Sequence, residues 1–417
     1  MNTPSILLTI TLSILLLFLP RRFFFFPFIM AMCFVPMNQR FIIGGLDFTI
    51  LRVLILVGLL RVILNHETRS IQWNNFDKLI LSWNIIGSAI YIIQWANFSA
   101  VVNKSGVMFD CLGFYWLSRH AIREWEDIFQ PIKIFAIFSI ITAPLIALEK
   151  FQETSFFSIF GPVQGQFHRE RFRCAGPFPH FIMMGAFWAS LLPFFYARIK
   201  SDNTALLYWA AILTALSNVY FSASSTPIMT VIAIVIFWKI YKYRMYGRII
   251  FLTVCLVLTL LHLVMKAPVW HLMARVNVFG GSTGWHRYFL FDNFINHMPE
   301  WFIMGTKSTT HWGLGQQDIT NQFVLEGVRG GVVTLIIFSV IIYYAVKIPG
   351  KFSLGRGIPD VKWLSWGVCV AILGHLVTFW GVSYFGQINM LLYFTFALVG
   401  FIMEKNSTTE AISITDP

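Results

Sequence analysis

The sequence predicts an all-α fold: a polytopic transmembrane bundle of about 12 or 13 helical spans. Three observations carry this. Of 417 residues, 57% are hydrophobic and only 12% charged, about half the charged share of a soluble domain. Apolar runs of roughly 17 to 20 residues recur along the chain, enough for a helix to cross a hydrocarbon core about 30 Å thick. No outward loop alternates as a barrel strand does, and unpaired backbone groups in lipid cost several kcal/mol each, so helices are expected.

Taken in order, the spans fall near 4–20, 23–38, 48–64, 77–97, 104–118, 131–149 and 179–197, then 204–221, 225–239, 249–265, 331–347, 364–382 and 387–403. The short run 104–118 could instead be interfacial or re-entrant. Met1 to Pro20 lacks a basic leading region and a small-residue cleavage site, so it reads as a first membrane helix rather than a removed signal peptide. Four regions follow: N-terminal spans over 1–149, a core over 150–348, C-terminal spans over 349–404, and a polar tail over 405–417 expected to be disordered.

Charge sets the orientation. Arg21, Arg22, Arg61, Arg69, Arg119, Arg123, Arg198, Lys200, Lys239, Lys347 and Lys362 all lie at or after the ends of odd-numbered spans, which puts them on the cytoplasmic face. The net charge of +12 is thereby explained by short basic loops, and nucleic acid is not an expected partner. Cys33, Cys111, Cys174, Cys255 and Cys369 are odd in number and scattered, matching neither a disulfide framework nor a zinc motif. His375, deep in a span, reads as a packed structural residue.

Two long polar loops, 150–178 and 266–331, fall on the opposite face. Both hold arginines against the positive-inside trend, and a guanidinium matches phosphate or carboxylate bidentately. In the first loop Arg169, Arg171 and Arg173 precede GPFP at the mouth of a helix, an arrangement suited to phosphate, or to lipid headgroups as a surface anchor. Gly176 would let the backbone approach a ligand closely. In the second loop Tyr288, Phe291, Phe294 and Ile295 recur near a 3.6 period after Arg287, marking an amphipathic helix. His311, Asp318 and Glu326 are general-base candidates by type; Asp318 could equally cap the helix that follows. Trp285, Trp301 and Trp312 could stack on sugar rings or belong to an interfacial belt.

These motifs resemble the O-antigen ligase and O-antigen polymerase superfamily of bacterial inner-membrane glycosyltransferases. The resemblance rests on Arg173 in RCAGPFPH, on GWHRYFLF with Arg287 followed by Pro299 and Gly305, and on TNQFVLEGVRGG with Asn321, Phe323, Glu326, Gly327 and Gly331. It covers about 150 to 335 in motifs. Two departures mark a distant branch: Thr320 stands where the family ligases carry an essential histidine, and NVYFSASSTP (Asn218 to Pro227) lacks the arginine often found there.

The resemblance implies that a glycan is transferred or polymerised from undecaprenyl diphosphate at the periplasmic face, onto a sugar acceptor. Arg171, Arg173 and Arg287 would hold the diphosphate, with Arg287 central to catalysis. His311 or Asp318 would orient the acceptor hydroxyl, and Thr320, Asn321 and Glu326 would position it. No cofactor and no metal is expected. Partners would be membrane lipids and other polysaccharide-assembly proteins. The rival classes are a lipid-linked glycan transporter or flippase, for which neither pseudo-repeats nor polar span interiors are seen, and a non-catalytic assembly subunit.

Overall fold

The computed structural model describes residues 1–163, 165–168, 171–201, 205–275, 283–355 and 358–415. A helix lies on every stretch that the apolar runs mark. These are α1 (Thr3–Phe18), α2 (Phe26–Phe34), α3 (Ile50–Leu64), α4 (Asn75–Trp95), α5 (Phe98–Ala121), α6 (Glu126–Gln152), α7 (Phe181–Ile199), α8 (Ala205–Phe221), α9 (Ser225–Lys239) and α10 (Gly247–Val264). The polar segment adds α11 (Leu272–Arg275), α12 (Thr283–Asn296) and α13 (Met298–Trp301); α14 (Gln322–Phe352), α15 (Pro359–Phe379) and α16 (Gln387–Thr415) follow. Among the described residues, seven stretches are long and apolar enough to cross a membrane: α4, α6, α7, Ser225–Val264, α14, α15 and Gln387–Asn406.

Some details depart from the sequence pattern. Helix α2 has nine residues, a length of about 14 Å, too short to cross a bilayer alone; Pro20 and Pro36 bound the apolar run that suggested 23–38. Helix α5 is longer than 104–118 and packs among α3, α4 and α16. Two antiparallel hairpins interrupt the all-helical pattern, β1 (Arg40–Ile43) with β2 (Leu46–Thr49) and β3 (Gln166–His168) with β4 (Arg171–Arg173). Helical backbone continues through Thr415, past the boundary expected for the tail. Glu404 anchors this stretch by pairing with Arg69 and Arg119; residues 416–417 lie outside the described residues.

Helices α7, α15 and α16 form the centre, with α8 and α9 packed on α7 and α15. His375 is enclosed there, its Nδ1 2.7 Å from the Tyr384 hydroxyl, the packed role expected of it. Helix α10 is exposed along nearly all its length, as an apolar helix facing lipid must be.

The two ends differ in chemistry. At one end several arginines are matched by carboxylates, Arg119 to Asp77 at 2.9 Å and Glu404 at 3.0 Å, Arg61 to Glu67 at 2.9 Å, Arg21 to Asp127 at 3.4 Å; by the first hairpin Arg40 pairs with Asp47 and Arg52 with Asp110. At the other end the two long loops meet the N-terminus and first hairpin. Asn2 donates to the Ile159 carbonyl, Asn38 to Pro162, and Gln94, at the far end of α4 from Asp77, to Met304.

Candidate functional site

The scaffold of the second loop is a broken helix. Helix α14 is interrupted at Gly331, whose φ is +68°. The interruption frees backbone groups, and segment 302–306 takes them up: Val332 N–H donates to Phe302 O at 2.8 Å, and Thr306 N–H to Val328 O at 2.7 Å. A Cβ at Gly331 would lie 2.3 Å from Ile303 O, and one at Gly305 2.3 Å from Val328 O. Only glycine permits this approach. Over the first half of α14 sits a small apolar core of Leu290, Phe294, Trp301, Trp312, Val324 and Val328. Phe294 stacks on Trp301 at 3.9 Å, 10° from parallel. Helix α12 therefore turns its apolar stripe onto α13 and α14. Trp301 and Trp312 are 2% and 5% exposed; they are core residues, so the sugar-stacking role considered for them does not apply. Trp285 remains exposed beside His271 and Tyr288.

Arg287, near the start of α12, reaches back into the bundle. Its guanidinium donates to Thr226 Oγ1, in the first turn of α9, at 2.7 Å. Burial pushes its pKa down, and among the described residues no carboxylate pairs with it. The preceding residue, His286, donates through Nε2 to the Asp318 carbonyl at 3.2 Å. Asp318 itself is exposed. Its charge and that of Arg173 both act on His180, the residue that caps α7. Arg173 ends β4 with its guanidinium 4.7 Å over the Phe181 ring; the next residue, Cys174, donates its N–H to Phe221 O, five residues before Thr226. The surroundings of Arg173, Asp318 and Arg287 thus adjoin at one end of the bundle. Arg171 opens β4 and is exposed; Arg169 lies outside the described residues.

In the first loop the backbone turn is occupied. Glu149, fully buried at the end of α6, accepts from Ala175 N–H at 2.8 Å, from Gly176 N–H at 3.1 Å and from the Ser155 hydroxyl at 3.1 Å. Gly176, with φ +56°, holds the protein's own carboxylate in the place proposed for a ligand. An anion in this loop must therefore rest on side chains.

The remaining candidates separate. His311 sits with Glu300 (Nε2–Oε2 2.7 Å) and His297, and Trp312 O accepts from Asn293 at 2.9 Å. This is the far end of α12 from Arg287, an axial rise of about 15 Å. Asn321 caps α14 by accepting from Phe323 and Val324 N–H at 2.9 and 3.2 Å, the role allowed for Asp318. Glu326 accepts from Trp83 Nε1 at 2.8 Å and Gln322 Nε2 at 2.7 Å, tying α4 to α14. The Thr320 hydroxyl is enclosed without a hydrogen-bond partner among the described residues.

A polar cavity of ≈ 230 Å³ opens between the end of α4 and segment 306–319. It is lined by Tyr91, Trp95, Lys307, Gln317, Ile319 and Arg329, among others, with two cations and no carboxylate. Segment 317–319 is common to both features: Gln317 and Ile319 face the cavity, and Asp318 meets His286. The sequence pattern missed Thr226, His180, Glu149 and the Lys307–Arg329 pair. STP before a span was the available signal for Thr226, a hydroxyl at a helix start. No protein-family model, curated protein or solved structure significantly matches the chain.

Proposed function

We propose that this chain is a membrane glycosyltransferase of surface polysaccharide assembly, acting on a diphosphate-linked glycan donor at the end of the bundle that carries the two polar loops. One observation carries the reading: Arg287 is a partly buried cation held by a neutral hydroxyl, with no carboxylate beside it among the described residues. Burying an uncompensated cation is costly. Arg119, Arg61 and Arg21 at the opposite end, and Arg40 and Arg52 by the first hairpin, are each paired with a carboxylate; Arg287 has no such partner among the described residues and is left for an anion that arrives from outside the chain.

In this reading the donor is a glycan on a polyprenyl diphosphate in the outer leaflet of a bacterial inner membrane, and the loops are periplasmic. An acceptor hydroxyl oxygen attacks the anomeric carbon, the bond to the diphosphate oxygen breaks, and the lipid diphosphate leaves with the electron pair. Arg287, anchored by Thr226, meets the charge that develops on the leaving oxygen, with Arg173 and Arg171 supporting it across the adjoining loop. The hydroxyl proton passes to a base. Asp318 is better placed than His311, because its neighbour contact with His286 puts it at the Arg287 end of α12.

The test is the surface glycan of cells whose own copy is replaced by Arg287→Ala at equal membrane protein level. Loss of polymer, with repeat units remaining on their anchor or on the lipid carrier, is the expected result. Normal polymer amount and length overturns the assignment.

A further inference from the structure

We propose that His297, Glu300 and His311 form a binding site for a divalent transition metal, zinc being the best fit by ligand type, which clasps the outer loop to the end of α12. Among the described residues these three make a group whose ligand atoms all lie within 4.8 Å of one another. Glu300 lies between the rings, with His297 Nδ1 at 2.8 Å from one oxygen and His311 Nε2 at 2.7 Å from the other. Two imidazoles and one carboxylate leave a fourth position for water, the ligand set of open zinc sites. Tetrahedral bonds of about 2.0–2.1 Å place donor atoms roughly 3.3 Å apart, so small rotations convert the present cluster into a coordination shell. Each ring then exchanges an N–H···O bond for a nitrogen–metal bond, its proton residing on the other nitrogen.

The surroundings are built as a second shell. Trp312 donates Nε1–H to Glu300 Oε2 at 3.1 Å, the oxygen that also meets His311, and this bond would orient the carboxylate in a coordination shell. The His297 ring stacks on Trp312, 11° from parallel at 5.2 Å. Trp312 is itself buried in the small core under α12 and accepts from Asn293. Two ligands thus sit beside a rigid aromatic anchor, while His311, 53% exposed, leaves a path for the ion. Bound metal would pin residue 311 to residues 297 and 300 and so fix segment 306–309, one wall of the polar cavity. This inference is independent of the transfer chemistry proposed above.

The test uses the full chain purified in detergent without a polyhistidine tag and stripped with chelator. Zn²⁺ titrated by calorimetry should bind one ion per chain and raise the unfolding temperature. Co²⁺ should give the visible absorption of a tetrahedral nitrogen–oxygen site. His297→Ala, Glu300→Gln and His311→Gln should each weaken binding by about tenfold or more; His311→Gln alters an exposed side chain and leaves the core untouched. Zinc-edge absorption spectroscopy of the unmutated chain should show two imidazoles, a readout needing no variant. Absence of binding to the unmutated chain, absence of imidazole scattering, or undiminished binding by the folded His311→Gln chain overturns the site.

Discussion

Arg287 and Thr226, sixty-one residues apart, are joined by a 2.7 Å hydrogen bond from guanidinium to hydroxyl. The bond ties the amphipathic α12 to the first turn of α9. It also holds the cation in a partly dehydrated position, where its field is least screened.

Substitutions at this pair should separate charge from anchoring. Arg287→Lys keeps the charge but loses the planar fork, so glycan transfer should fall by roughly 100-fold, the scale for removing one fixed donor from a charged transition state. Thr226→Val keeps the shape and removes the acceptor, and a smaller loss of about tenfold is expected, because the guanidinium remains but is less well held. Surface polymer quantified at matched membrane protein level checks both. Equal losses would mean that Arg287 serves packing rather than an anion.

The broken helix makes a stability prediction. A methyl at Gly331 meets Ile303 O at 2.3 Å and stands on a backbone with φ +68°. Gly331→Ala should destabilise the chain by about 1–3 kcal/mol and lower its unfolding temperature in detergent. Gly327→Ala places its methyl against the Phe294 ring, a side chain rather than backbone, and should cost less. The reverse order would contradict the docking of segment 302–306 into the break.

Much of the architecture was legible because lipid imposes one rule, that apolar runs become helices, and the runs are long. The charge pattern also grouped Arg21, Arg61, Arg69, Arg119 and Arg123, and the structure gathers them at one end. Pairing within the loops was not legible. Glu149 and Gly176 are separated by 27 residues, and nothing local says that a carboxylate at the end of α6 fills that turn. Trp301 and Trp312 read as sugar-stacking or interfacial-belt aromatics, because a loop sequence hides the small core it carries. His311 was isolated from Glu300 by eleven residues; only the fold of α12 and α13 brings them together. Arg287 stood out in advance because its position conflicts with the charge rule of the surrounding chain.

The Asp77–Arg119 pair predicts a strong asymmetry. Both side chains are 1% exposed, and Tyr115 and Glu404 complete the network. Asp77→Asn removes one charge and leaves Arg119 with fewer compensating groups, which should cost about 3–5 kcal/mol. Asp77→Leu combined with Arg119→Met removes both charges and should recover much of that loss. Unfolding temperatures of the single and double variants in detergent decide the matter. A double variant as unstable as the sum of two singles would show that the pair is not coupled.

Glu300 supplies the pH test. A hydrogen bond from Trp312 Nε1, followed by His297 and His311, holds its carboxyl down at about 2, against an ordinary 4.5. A carboxylate whose pKa is lowered by folding adds stability above its unfolded value, and that stability is lost as pH falls toward the folded value. In chelator-treated buffer, the gap in unfolding temperature between the unmutated chain and Glu300→Gln should stay level above about pH 4.5 and close progressively toward pH 2. A gap that does not change across this window would show that Glu300 stays neutral or unbonded. The same measurement with Zn²⁺ present should widen the gap only toward neutral pH, where both imidazoles of the site are unprotonated, since a protonated ring nitrogen cannot serve as a ligand.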